Sequence, residues 1–382
     1  MSAQVRLPGR TGPLVIPAPD WADCYPPPTS RRVYAAAHVA ASPGSGGEVG
    51  SKGEVIDWES TMCFRAHLWA HGFGVAEAMD TAQRGMGLPW EQAKELIATS
   101  AAERKGELAC GAGTDQLADG ESHPISTIIG AYAEQMAFVQ ATGASVILMA
   151  SRALAASARG ARDYLEVYGE LLRQADRPVI LHWLGEAFDP ALRGYWGGAE
   201  FGSAAEVVLE LIQRSGGKVD GIKLSVLDAD GEVALRRRLP AGVRLYTGDD
   251  FSYAELIRGD AEGHSDALLG AFAAVTAPAA AALAALDRGD IAGYDAAMGP
   301  TVPLNRAIFE PPTYHYKVGV AFLAWLNGLQ PHFSMLGGLQ RHRPARHLVR
   351  VFELAAAARA LTVPELAAER MTGLLATIAG RV

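Results

Sequence analysis

Short runs in which nearly every residue is apolar alternate along this chain with longer stretches whose apolar residues recur at helical spacing. The short runs, at 33–40, 74–78, 108–113, 145–150, 178–183, 221–225, 244–248 and 266–270, read as strands buried on both faces, the signature of a parallel sheet. Between them, 58–71, 89–104, 126–142, 162–175 and 204–214 read as helices. About eight strands, each followed by a helix, within roughly 250 residues is the arithmetic of a closed barrel. Beyond residue 284 the strand pattern ends, and 284–298, 316–329, 346–360 and 363–378 read as helices. The expected fold is therefore α/β, a (β/α)8 TIM barrel with a C-terminal α-helical extension. The expected divisions are an N-terminal extension over 1–32, the barrel over 33–284 and a helical region over 285–382.

Composition narrows the function. Nearly half of the 382 residues are hydrophobic, so a large core can form. A net charge of -8, from 42 acidic and 34 basic residues, gives no electrostatic footprint for nucleic acid or an anionic membrane surface. Cys24, Cys63 and Cys110 are far apart and show no metal-type spacing, which suits a reducing cytoplasm. The polar, proline-rich N-terminus has no apolar h-region, so no signal peptide is expected. One uncharged segment, 267–286, has the length of a membrane span. It is dominated by alanine and interrupted by Gly270 and Pro278, so a buried strand followed by a core-facing helix explains it better.

In a barrel of this kind the strand ends and the loops after them build the site. That rule selects Glu77, Asp80 and Thr81, then Asp115, Ser151 and Arg152, then His182, Lys223, Asp249 and Asp250. Lys223 carries the most chemical information, because it interrupts the apolar run Val219-Asp220-Gly221-Ile222-Lys223-Leu224-Ser225. A lysine there must snorkel, pair with a carboxylate such as Asp220 or Asp249, or face a cavity. Facing a cavity, partial desolvation would lower its pKa from about 10.4 and make the neutral amine a nucleophile. His182 could exchange a proton near neutrality, or simply close a buried strand. Asp80, Thr81 and Asp115 could bind hydroxyls or cap the helices that follow them. Arg152 could hold a carboxylate or phosphate, or form a surface ion pair.

The chain resembles the dihydrodipicolinate synthase and N-acetylneuraminate lyase superfamily of class I aldolases. The resemblance rests on Gly221-Ile222-Lys223, on Thr247-Gly248-Asp249-Asp250, which is similar to the family's Ser-Gly-Asp-Asp turn, and on Gly111-Ala112-Gly113-Thr114-Asp115. Tyr314-His315-Tyr316-Lys317-Val318, followed by Gly328, resembles the family's C-terminal helix entry. The order holds over roughly residues 33 to 350. It implies a TIM barrel with a C-terminal helical domain and an imine-forming lysine at position 223. Three departures accompany it. Where the family carries Gly-Thr-Thr-Gly-Glu after strand two, this chain has Glu77-Ala78-Met79-Asp80-Thr81-Ala82-Gln83. Where the family's fifth strand ends in a proton-relaying Tyr-Asn-x-Pro, this chain has His182-Trp183-Leu184-Gly185. The arginine that holds a dicarboxylic substrate in the synthases falls near Glu186-Ala187 and is absent. The resemblance thus implies a divergent branch acting on another substrate.

The expected function is a Schiff-base lyase or aldolase, or a related dehydratase, acting on a sugar-derived keto acid or keto sugar. Lys223 and His182 would be catalytic, and Asp80, Thr81, Asp115, Arg152, Asp249 and Asp250 would bind substrate. No cofactor or metal is called for, and the resemblance implies a homo-oligomer. Two alternatives stand beside this reading. One is a metal-dependent sugar isomerase or hydrolase built on Glu77, Asp115, His182 and Asp249; the other is a non-catalytic sugar-binding barrel. His67 and His71 lie one helical turn apart without the adjacent glutamate of His-Glu-x-x-His, on a helix expected outside the barrel, and are not expected to form a metal site. Arg341, His342, Arg343, Arg346 and His347 read as a solvated or subunit-contact surface.

Overall fold

A computed structural model describes residues 3–43, 56–79, 83–118, 120–198 and 200–379. The chain forms two compact units, one of Arg31–Ala36 and Gly74–Leu269, the other of Met1–Ser30, Ala37–Phe73 and Gly270–Val382. The first strands, β1 (Ala3–Val5) and β2 (Leu14–Ile16), make an antiparallel pair within the stretch read from sequence only as a polar extension.

The first unit is the barrel. Its strands are β3 (Val33–Ala36), β4 (Gly74–Glu77), β5 (Leu108–Ala112), β6 (Ser145–Leu148), β7 (Val179–Leu184), β8 (Val219–Ser225), β9 (Arg244–Thr247) and β10 (Asp266–Leu269). All eight are parallel and the sheet closes between β10 and β3, so the fold is a (β/α)8 TIM barrel with a C-terminal helical part. The continuous apolar runs follow from this closure, because each strand has the barrel interior on one face and helices on the other. Tyr34, Ala36, Ala76, Ala109, Ile147, Ile180, Tyr246 and Leu268 fill the interior. Two glycines make room for its aromatic rings: a Cβ at Gly74 would stand 2.5 Å from the Tyr34 ring, and one at Gly221 2.7 Å from the Tyr246 ring.

The barrel unit's helices are Trp90–Glu103, Ile125–Ala141, Arg152–Ser157, Ala161–Gln174, Phe201–Arg214, Ala229–Arg236 and Tyr253–Arg258. Several strand-end polar residues are caps, which satisfy N–H groups left open at a helix start. Ser151 Oγ accepts from the Leu154 N–H, and Asp228 Oδ1 from the Gly231 N–H.

The second unit is helical, with Trp58–Ala70, Thr276–Asp287, Ile291–Met298, Thr301–Ile308, Lys317–Leu326, Ala345–Ala357 and Pro364–Ala379 as its main elements. Its core includes Leu304, Phe309, Phe322, Val351 and Phe352. The uncharged segment divides into the end of β10 and the helices Ala271–Ala274 and Thr276–Asp287. Among the described residues, no helix is long and apolar enough to cross a membrane. The basic cluster needs a correction: Arg343 and His347 are buried. Arg343 donates to the carbonyls of Glu310 (2.6 Å) and Pro312 (3.0 Å), and His347 Nδ1 lies 2.7 Å from Glu310 Oε1.

Candidate active site

Strand register determines which side chains enter the barrel. Ile180 and Tyr246 belong to the interior core, and register partners share a face. Ile180 pairs with Gly221, His182 with Lys223, and Lys223 with Tyr246, so Lys223 and His182 face inward from neighbouring strands. Both are buried, Lys223 to 8 % exposure and His182 completely. Ser225, two residues beyond Lys223, lies on the same face and is also buried; its Oγ is 3.3 Å from His182 Nε2. Amine, imidazole and hydroxyl thus converge at the C-terminal ends of β7 and β8, where barrel chemistry is carried.

Gly248 is a condition of this arrangement. A Cβ there would stand 2.1 Å from Ser225 Oγ, 2.8 Å from the Leu224 carbonyl oxygen and 3.1 Å from Lys223 Cε. The turn that begins at Gly248 is organised by its neighbours. Asp249 Oδ1 accepts from the N–H groups of Phe251 (2.8 Å) and Ser252 (2.9 Å), and the Asp249 N–H donates to Thr247 Oγ1 (3.2 Å). Asp250 follows and is buried.

Behind this turn lies a group the sequence reading missed. Glu232, on the helix Ala229–Arg236, is fully buried and accepts hydrogen bonds from Thr247 Oγ1 (3.0 Å) and Ser265 Oγ (2.7 Å). Burial pushes its carboxyl up to about 8, with the charge of Asp249 acting in the same direction and the two hydroxyl donors opposing. Nothing local in the sequence marks Glu232, since acidic residues in a helix's first turn are common.

Asp115, at the end of β5, forms an ion pair with the buried Arg84 (2.7 Å) and accepts from Gln135 Nε2 (2.9 Å). Burial would raise its pKa, but the Arg84 guanidinium and these hydrogen bonds hold it below the usual carboxylate range. Arg84 also donates to the carbonyls of Ala78 and Gly111, so it ties the ends of β4 and β5 together. Arg152 pairs with Asp189 at 2.6 Å and keeps 41 % of its side chain exposed. Asp80 and Thr81 lie outside the described residues.

The four residues of the metal alternative do not converge. Ala76 faces the barrel interior, so Glu77 faces the helix layer, where it accepts from Ser100 Oγ at 2.6 Å. Among the described residues, no group of three or more His, Cys, Asp or Glu side chains is placed to hold a metal ion.

A buried hydroxyl network runs along the ends of β5 and β6. Thr114 and Ser151 share a 2.6 Å hydrogen bond, the Ser151 N–H donates to Tyr195 OH at 2.9 Å, and Tyr195 and Tyr168 are joined at 2.8 Å. Tyr132 completes the group by donating to the Met149 carbonyl, and burial raises its pKa to about 12. Sequence reading found Ser151 by position but not its tyrosine partners, Tyr132 from the helix before it and Tyr168 and Tyr195 from the segments after it.

Residues 13–380 match the model of a family described as protein of unknown function (DUF993). No curated protein sequence matches the chain. Among solved structures, the dihydrodipicolinate synthase of Thermotoga maritima superposes with a TM-score of 0.62 at 14% identity, covering 87% of this chain and 100% of its own. That of Oceanobacillus iheyensis gives 0.60 at 16% identity, covering 85% and 95%. The Acinetobacter baumannii enzyme, solved with pyruvate bound, gives 0.62 at 14% identity, covering 86% and 99%. The chain thus shares its overall fold with these enzymes.

Proposed function

The chain belongs to the DUF993 family, proteins of unknown function, and from that starting point we propose that it is a Schiff-base-forming lyase or aldolase, or a related dehydratase, acting through Lys223. The observation that carries this reading is a buried, inward-facing lysine at the end of β8 with an imidazole as its register partner. The proposed substrate is a sugar-derived keto acid or keto sugar. The pyruvate bound in the Acinetobacter baumannii enzyme supports a 2-keto acid as one component.

The Lys223 amine, in its neutral form, adds to the substrate carbonyl and the carbinolamine loses water to give an iminium ion. The iminium takes up the electron pair released when the neighbouring C–C bond breaks, or when a proton leaves the adjacent carbon ahead of dehydration. Hydrolysis of the imine then returns the free lysine. His182 is the proposed proton carrier, taking a proton from the substrate hydroxyl and returning one to the enamine carbon, with Ser225 holding the ring. Asp80, Thr81, Asp115, Asp249 and Asp250 are assigned the substrate's hydroxyl groups. Arg152, whose exposed guanidinium can exchange Asp189 for a ligand, is assigned a carboxylate or phosphate. The proposed location is the cytoplasm, which the three scattered cysteines suit, and the resemblance supports a homo-oligomer.

The test is turnover. A panel of keto acids and keto sugars is offered to the wild type and to Lys223→Ala, with and without chelator. The reading requires cleavage or dehydration of at least one compound, lost in Lys223→Ala and indifferent to chelation. Chelator-sensitive turnover that survives in Lys223→Ala would move the assignment to a metal enzyme.

A further inference from the structure

We propose that His67 and His71 chelate a divalent transition-metal ion of the imidazole-preferring kind (zinc, nickel or copper) at a site that makes no use of Lys223. The pair lies at the end of the helix Trp58–Ala70, His71 being its C-terminal cap. Residues four apart share a helix face, and the two ring centroids are 4.4 Å apart, close enough for one ion to bridge the rings.

Two observations make this pair a ligand set and not merely two packed rings. The first is tautomer. His71 Nδ1 lies 2.9 Å from the His67 carbonyl oxygen, and a carbonyl can only accept. Nδ1 therefore carries the hydrogen and Nε2 keeps its lone pair, and the same bond fixes the ring as outer hydrogen bonds do for metal-binding imidazoles.

The second is the surroundings. Both rings line a cavity of about 410 Å³ together with Trp21, Asp23 and Glu365. Among the described residues that line it there is no lysine or arginine, whereas two are carboxylates. Imidazole nitrogen donors beside carboxylates suit zinc, nickel or copper better than an anion. Since among the described residues no third His, Cys, Asp or Glu is assembled with the pair, the site is a two-imidazole chelate. Asp23 contributes charge, and water fills the remaining positions.

Isothermal titration of the full chain with Zn2+ near pH 7 tests this. The expectation is one equivalent bound at micromolar strength, with His67→Gln and His71→Gln each weakening it by at least about tenfold and Asp23→Asn by a few-fold. Wild-type binding weaker than about 1 mM, or binding unchanged in both histidine variants, overturns the proposal. Should either variant fail to fold, the electron paramagnetic resonance spectrum of one equivalent of Cu2+ on the wild type decides. Nitrogen hyperfine coupling from two imidazoles supports the site; its absence overturns it.

Discussion

His182 and Lys223 are register partners on β7 and β8, both buried and both on the face that lines the barrel. Adjacent strands lie about 4.8 Å apart, so the imidazole is the nearest inward-facing neighbour of the lysine on that side. In the proposed mechanism Lys223 forms the imine and His182 carries the proton, and this pairing separates two effects that mutation can resolve.

His182→Gln should lower kcat by about 10²- to 10⁴-fold while leaving the imine at Lys223 able to form. Steady-state kinetics and single-turnover imine trapping on the same preparation check this. Full activity in the variant would remove His182 from the mechanism.

Gly248→Ala should damage both stability and site. The added methyl meets Ser225 Oγ, the Leu224 carbonyl and Lys223 Cε, and overpacking of this kind costs about 1–3 kcal/mol. Denaturant titration should show the loss, and activity should fall further than in an alanine substitution at the open Gly202, where a Cβ meets nothing within 4 Å.

Glu232 makes stability depend on pH. Its folded pKa of about 8 lies above the ordinary 4.5, so between these values the folded state holds a proton that the unfolded chain has released. The contribution is fully present below the unfolded value and is lost as pH rises toward 8, at up to about 1.4 kcal/mol per pH unit. Glu232→Gln should keep the contacts to Thr247 and Ser265 and remove this slope. The wild-type-minus-variant difference in unfolding free energy, measured at pH 5 and pH 8.5, reads it directly; equal differences at both values would contradict it.

The barrel was legible because parallel strands buried on both faces leave continuous apolar runs, and all eight are present where such runs occur. Lys223 was legible for the same reason, as a charge interrupting one of those runs. Ser225 could have been found by the period of two from Lys223. The hairpin of β1 and β2 was not legible, because three-residue strands in a polar stretch leave no pattern. The roles of strand-end acids were legible only as alternatives, since the partner that decides them is remote in sequence. Asp115 meets Arg84 from 31 residues away, and Glu77 meets Ser100 on a helix. Glu232 depends wholly on tertiary packing.

The central claim is covalent, and sodium borohydride reduction tests it most directly. Wild-type protein incubated with pyruvate and with a panel of keto sugars is reduced, digested and examined by mass spectrometry. The account predicts that at least one compound leaves a stable secondary amine on the peptide containing Lys223, and that Lys223→Ala acquires none. No adduct from any compound, or an adduct confined to other lysines, would contradict it.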